Sequence, residues 1–357
     1  MVLALRTVSV NMPDGVMAVS SAWLRNQCAC ASCLHPSGQR LLDPATISPD
    51  LQTVRCEQRD GSLRVWWTPD DHESVYSIKS LLALPATPVL DTWDRSTVAA
   101  PPTARHGAVA ADADALLGWL RQVDRLGFGL LQGVPIIDGE VTRVAELFGF
   151  VRETNYGRFF DVRSVVDPTN LANTSLGLAA HTDNPYREPV PTLQLLHCLA
   201  SSASGGENIV VDGFRIADEV RRQQPDGFGL LANRGVSFSY RDEATDLSTT
   251  APLIELDSAG NVRGVRFNAR SMQPPSLPTD EMVAWFDSYL LFARLLADRA
   301  YQVQFRLEPG DLFIVNNRRV LHGRSAYEAS AGSRHLQGCY ADIDGLRSTV
   351  SVLERTR

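Results

Sequence analysis

A chain of 357 residues that is 44% hydrophobic is long enough to bury one large core or two unequal ones. A formal net charge of −7 argues against the basic face of a nucleic-acid binder, and no apolar run approaches a membrane span. Six cysteines in this length do not make a disulfide scaffold; three lie within one six-residue window, which suits a metal in a reducing compartment and predicts a cytoplasmic protein. The opening Met1–Val10 lacks a basic leader and a small-residue cleavage site, so no signal peptide is expected.

Strand-like pieces at 5–10 and 15–19 lead into Ser21–Arg25 and then into Cys28-Ala29-Cys30-Ala31-Ser32-Cys33. Structural zinc takes four nitrogen or sulfur ligands in a tetrahedron, so Cys28, Cys30 and Cys33 want one more. His35 is held close by a short tether. His72 returns after two predicted strands, 53–58 and 63–67, and is the preferred fourth ligand. Cys56 falls mid-strand and reads as a buried apolar residue. The competing reading is three free thiols in a loop. A short helix over 77–84 ends at Pro85 and Pro88. These features predict a small β-rich zinc-binding domain over 1–95, with 96–106 as a linker containing Pro101 and Pro102.

Beyond the linker, Leu116, Leu117, Trp119, Leu120 and Val123 follow helical spacing over 112–126, Gly127 stops the helix, and 128–131 continues as a strand. A second amphipathic helix is predicted over 138–148. In the stretch Gly177–Leu199, His181 and Asp183 sit two apart, and on an extended segment such side chains leave the backbone on the same side. Far downstream, Asn316–Ser325 supplies His322, and Arg334 follows. Two histidines and one carboxylate describe the facial triad of non-haem Fe(II) oxygenases. A His-x-Asp alone reads equally as a solvated turn; the order of all four residues carries the metal reading. Short predicted strands at 208–211, 235–240, 253–256, 262–268, 303–307, 311–315 and 336–342 suggest an α+β architecture. Its catalytic domain, 107–357, would be a double-stranded β-helix (jelly roll) with helical insertions. The long predicted helix at 279–301 carries an apolar stripe expected to pack on a sheet. His197 reads as a hydrogen-bonded core histidine, and His335 as a residue that orients Arg334.

The combination His181-Thr182-Asp183, Gln194-Leu195-Leu196-His197-Cys198, Asp212-Gly213-Phe214, Asn316-Asn317-Arg318-Arg319-Val320-Leu321-His322-Gly323-Arg324 and Arg334-His335-Leu336-Gln337-Gly338-Cys339-Tyr340 resembles the γ-butyrobetaine dioxygenase and trimethyllysine dioxygenase group. That group belongs to the 2-oxoglutarate-dependent Fe(II) oxygenases, and the likeness extends to the N-terminal cysteine run. The resemblance implies that His181, Asp183 and His322 ligate Fe(II), with O2 and 2-oxoglutarate as co-reactants. It implies that Arg334 holds the far carboxylate of 2-oxoglutarate, with Arg319 and Arg324 as rivals and Asn208 as a further contact. It also implies structural Zn(II) and a homodimer.

In that group an aromatic cage holds a trimethylammonium head. Tyr156, Phe160 and Tyr340 match cage positions, whereas Asn173 and Asn184 stand where aromatic residues are usual. Asn170 and Asn268 match contacts to the substrate carboxylate. The half-kept cage leaves two small zwitterionic substrates open. One is a γ-butyrobetaine-like betaine. The other is an aminoalkylphosphonate such as 2-aminoethylphosphonate, whose double charge Arg158, Arg163 and Arg270 would suit. A reading from another class is a non-catalytic cupin-like metal-binding module. A zinc hydrolase built on the same three ligands leaves Arg334 unexplained.

Overall fold

The computed structural model describes residues 6–12, 15–82, 91–163, 174–202, 204–328 and 332–357. The chain forms two compact units, Met1–Pro88 and Val89–Arg357. In the first unit, β1 (Thr7–Met12) and β2 (Gly15–Ser20) form a hairpin that leads into α1 (Ser21–Asn26). The Ser20 hydroxyl accepts from the Trp23 amide and caps this helix. A three-stranded antiparallel sheet follows, of β3 (Gln52–Arg59), β4 (Ser62–Thr68) and β5 (His72–Ser77), with α2 (Ile78–Leu82) behind it. Strict alternation along β4 buries Leu63, Val65 and Trp67 on one face, against Val8, Val10, Leu24 and Tyr76. β3 is an edge strand, and Cys56 on it is exposed, not buried as expected: only one face of this sheet is covered.

The second unit opens with β6 (Thr103–Arg105), α3 (His106–Ala111), α4 (Ala113–Leu126), β7 (Phe128–Gln132), α5 (Glu140–Glu146), β8 (Val151–Arg152), β9 (Phe160–Arg163), β10 (Leu178–His181), β11 (Leu193–Ser201) and β12 (Asn208–Asp212). It continues with α6 (Gly213–Gln223), α7 (Pro225–Asn233), β13 (Val236–Arg241), β14 (Asp246–Ala251), β15 (Ile254–Leu256), β16 (Val262–Val265) and α8 (Thr279–Ala297). It closes with β17 (Val303–Phe305), β18 (Leu312–Asn316), β19 (Val320–Arg324), β20 (Arg334–Ala341) and α9 (Ile343–Arg355).

A seven-stranded sheet has the order β6-β7-β18-β11-β20-β8, with β9 also on β20, and a four-stranded sheet has the order β10-β19-β12-β17. Alternation explains the layering. On β11 and β18, Leu193, Leu195, Leu312 and Ile314 join the core beneath α4, α5 and α9, while Leu196, Cys198, Phe313 and Val315 point the other way. There they meet Val210, Val303 and Val320 of the four-stranded sheet, whose outer face packs on α6, α7 and α8 through Val211 and Leu321. Strands covered on both sides favour apolar residues at every position, which accounts for the run at 312–315 and for a β11 whose stretch 193–198 is broken only by the buried Gln194 and His197. The expected stripe on α8 does pack inward, through Trp285, Phe292 and Leu296.

Three expectations need correction. Thr103–Arg105, placed in the linker, is a strand that pairs in parallel with β7 at the sheet edge. Trp93, placed in the first domain, belongs to the inter-sheet core of the second unit, and its indole donates to the Leu126 carbonyl. The strand predicted over 262–268 stops at Val265. No helix among the described residues is long and apolar enough to cross a membrane.

Candidate functional site

The parity that builds the inter-sheet core also places the polar residues. Val320, His322 and Arg324 share one face of β19; Asn208 and Val210 share one face of β12. Arg334, Leu336 and Tyr340 share one face of β20, and Gln194, Leu196 and Cys198 one face of β11. All therefore point into the space between the sheets. His181 and His322 are direct cross-strand partners on β10 and β19. Gly323 permits this pairing: a Cβ there would stand 2.5 Å from the Leu178 carbonyl oxygen.

His181 Nε2 lies 3.2 Å from Asp183 Oδ1, and His322 Nε2 lies 3.9 Å from the same oxygen. One donor atom from each of the three falls within 4.8 Å of the others. His181 Nδ1 is 2.8 Å from the Ala179 carbonyl and donates to it, so Nε2 keeps its lone pair for a metal. His322 Nδ1 is buried with no partner among the described residues, and burial together with neighbouring His181 pushes its pKa down to about 3. Neutral imidazole is the form a metal requires. Burial alone would raise the Asp183 pKa, but its contacts with His181, His322 and Tyr340 outweigh it and hold the carboxylate ionised. Two imidazoles and one carboxylate fit a divalent transition metal on one face.

Asp183 is fixed from several sides. Asn317 accepts from its amide at 2.6 Å and donates to its carbonyl at 2.9 Å. Gln194 Nε2 at 2.5 Å and Tyr340 Oη at 2.9 Å both donate to Oδ2. Asn317 and Gln194 lie inside quoted motifs, but sequence reasoning gave them no role; contacts of this kind require the strand register.

The three arginines separate by their partners. Arg319 is fully buried and makes a two-pronged ion pair with Asp212, at 3.1 and 2.9 Å. Arg324 donates to the Thr174 and Leu176 carbonyls, and burial first, then Arg334, pushes its pKa down to about 10. Arg334 is 9% exposed, lies over the Tyr327 ring at 5.8 Å, and has neither a hydrogen bond nor an ion pair among the described residues. Burial depresses its pKa, the mark of a guanidinium taken from water without a counterion. His335 does not orient it: its side chain, on the opposite face of β20, contacts Asp161 on β9 at 2.7 Å. Asn208 sits opposite Arg324 and donates to the Phe305 carbonyl at 3.5 Å.

An aromatic wall adjoins the triad. Phe160 lies 5.2 Å from Tyr340 and 5.9 Å from Tyr156, its ring lying where a side chain on Gly338 would be. Two rings not foreseen complete the wall. Tyr240 stacks on Tyr186 at 5.1 Å and meets Tyr156 edge-on at 6.0 Å, and the Tyr156 and Tyr186 hydroxyls are 2.9 Å apart. Asn184 is 3% exposed at φ 51°, with neither amide atom partnered among the described residues. Asn268 is occupied with backbone, donating to the Thr182 carbonyl and accepting from the Arg270 amide. Asn170 and Asn173 lie outside the described residues. Arg158 is tied to Glu146, whereas Arg163 and Arg270 are exposed. His197 is fully buried, as expected.

In the first unit, Cys28, Cys30 and Cys33 gather around His72, with Sγ to Nε2 distances of 3.3, 3.8 and 3.7 Å. Tetrahedral zinc would separate such donors by about 3.6 Å, so the set fits. His35 instead contacts Ser37. Arg25, 5% exposed, donates to Cys33 Sγ at 3.3 Å and to Asp70 at 3.2 Å, linking the cysteine loop to the turn before His72.

Residues 96–340 match the family model of taurine catabolism dioxygenase TauD, TfdA family, and residues 4–82 match that of gamma-butyrobetaine hydroxylase-like, N-terminal. Gamma-butyrobetaine dioxygenase of Pseudomonas sp. (strain AK-1) is 37% identical over 98% of this chain and 94% of its own. The Homo sapiens gamma-butyrobetaine dioxygenase is 28% identical over 94% of this chain and 91% of its own. A solved asparagine oxygenase, in complex with Fe(II), 3-hydroxyasparagine and succinate, aligns with TM-score 0.51 and 19% identity. It covers 66% of this chain and 81% of that one, a likeness of fold.

Proposed function

This chain belongs to the taurine catabolism dioxygenase TauD, TfdA family, and from that membership we propose that it is a 2-oxoglutarate-dependent Fe(II) dioxygenase hydroxylating a γ-butyrobetaine-like betaine. Arg334 carries the reading: a buried guanidinium with no anionic partner among the described residues, opening on the same inter-sheet space as a candidate three-ligand metal cluster. A metal-bound keto acid with a free carboxylate at its far end satisfies both. The two facing sheets support the jelly-roll reading, and the Cys3His cluster supports a structural zinc role for the N-terminal unit.

Ferrous iron with 2-oxoglutarate and O2 supplies the chemistry: the keto acid is oxidised to succinate and CO2, and one oxygen atom enters a substrate C–H bond. The protein holds and orients. His181, Asp183 and His322 offer three ligands and leave three positions on an octahedral ion. Arg334 makes a fork of two charge-assisted bonds to the distal carboxylate. Tyr156, Phe160, Tyr186, Tyr240 and Tyr340 offer π faces to an ammonium head and exclude water.

The five rings favour the betaine, since Tyr186 and Tyr240 restore aromatic surface where Asn184 had suggested its loss. The ion pair of Arg158 with Glu146 removes one cation that the phosphonate reading had counted on. Succinate release should follow γ-butyrobetaine and be near background with 2-aminoethylphosphonate; the reverse order would replace the substrate assignment. Anaerobic Fe(II) with 2-oxoglutarate should give a weak visible charge-transfer band, and its absence would remove the oxygenase reading.

A further inference from the structure

The two oxygens of Asp183 are not equivalent. Oδ1 faces both imidazole Nε2 atoms, at 3.2 and 3.9 Å, whereas Oδ2 accepts from Gln194 and Tyr340. Those donors are a direct cross-strand pair, Gln194 on β11 opposite Tyr340 on β20, so they stand side by side on one face. They are 3% and 4% exposed. The orientation of the Gln194 amide follows from chemistry: turning Oε1 toward a carboxylate would oppose two acceptors. Among the described residues its Oε1 has no partner, so the carboxylate contact is the hydrogen bond that this buried amide is placed to make.

We propose that Gln194 and Tyr340 are positioning residues that hold Asp183 to the metal through Oδ1 alone. The inference rests on the iron reading above. Its chemical point is a count of positions. A carboxylate can bind a metal through one oxygen or two. On an octahedral ion, two histidines and a one-oxygen aspartate leave three places, two for the keto acid and one for O2. A two-oxygen aspartate would take a fourth place and compete with the cosubstrate. Two hydrogen bonds on Oδ2 oppose that slide, because rotating the carboxylate would strand both buried donors. Tyr340 also walls the aromatic box, where it lies 5.2 Å from Phe160. The same side chain thus meets the ammonium end of a betaine and steadies a metal ligand.

The test uses the full chain loaded anaerobically with Fe(II), comparing the parent with Gln194→Met and Tyr340→Phe. Each variant removes a donor and keeps most of the volume. Expected: both variants still bind Fe(II), while the 2-oxoglutarate concentration giving half of the charge-transfer band rises about tenfold. The fraction of succinate released without hydroxylated product should also increase. Bands forming at the parental 2-oxoglutarate concentration would overturn the clamp and leave the oxygenase reading intact. Loss of Fe(II) binding and of thermal stability in step with the band would also overturn it, since that is a merely structural role. A parent that forms no band overturns the iron reading, and the clamp with it.

Discussion

Replacing Arg334 with methionine should separate binding from folding, with opposite signs. The arginine is 9% exposed and unpaired among the described residues, so removing its charge relieves a desolvation cost and breaks no internal ion pair. The metal-free variant should unfold at the parental temperature or slightly above it. Binding should respond the other way. Hydrogen bonds to charged groups contribute about 1.5–3 kcal/mol each, and taking two at the lower end gives ~3 kcal/mol, on the order of a 100-fold higher KM for 2-oxoglutarate. Thermal shift adds an independent readout. With Ni(II) in place of iron, 2-oxoglutarate at about 100 times its Kd should stabilise the parent by ~2.7 kcal/mol, several degrees for a domain of this size. The same concentration should leave the variant almost unmoved. A variant that unfolds early while keeping the parental KM would show that Arg334 is a fold residue and refute the assignment.

Other outcomes follow from the same geometry. Tyr186→Leu and Tyr240→Leu should each raise KM for a trimethylammonium substrate about 2- to 30-fold, from a cation–π contribution of about 0.5–2 kcal/mol; unchanged steady-state constants would take those rings out of the box. Arg319→Met strands the buried Asp212 carboxylate and should cost about 3–5 kcal/mol, read as a lower denaturant midpoint. Arg25→Ala should speed zinc loss to a chelator about 10- to 100-fold, since it removes the donor on Cys33. In zinc-free protein, Cys30 should alkylate increasingly as pH rises through about 7: burial pushes its thiol up, but the Ser32 hydrogen bonds prevail and bring it down to about 7. Restored zinc should block that reaction.

The candidate metal ligands were legible because their signals are local or chemically distinctive. His181 and Asp183 two apart, and three cysteines in six residues, need only the geometry of a short segment. The buried strand β18 showed itself as an unbroken apolar run at 312–315. Contacts set by register were hidden. Gln194 meets Asp183 and Tyr340 only once β11 lies beside β20, and Tyr240 reaches Tyr186 from a distant hairpin. The loss of aromatics inferred at Asn184 reflected position-by-position matching, which cannot find a ring supplied from another strand. Helix α6 had a local signal, with Asp212 capping the Phe214 amide ahead of Ile216, Ala217 and Val220, but the stretch reads first as a motif.

The pairing of His181 directly across from His322 has a consequence for how such a protein can change. On the proposed reading, two of the three ligands to iron form a single rung of a ladder, and their spacing does not depend on the length of the outer loops between its two ends. Hairpins and helices in that excursion are free to be swapped, stretched or trimmed, and appetite for new molecules can drift while the reaction persists. One residue added within either rung-bearing strand beside its histidine would do the opposite, turning an imidazole away from the cavity and silencing the chemistry in a molecule that still folds.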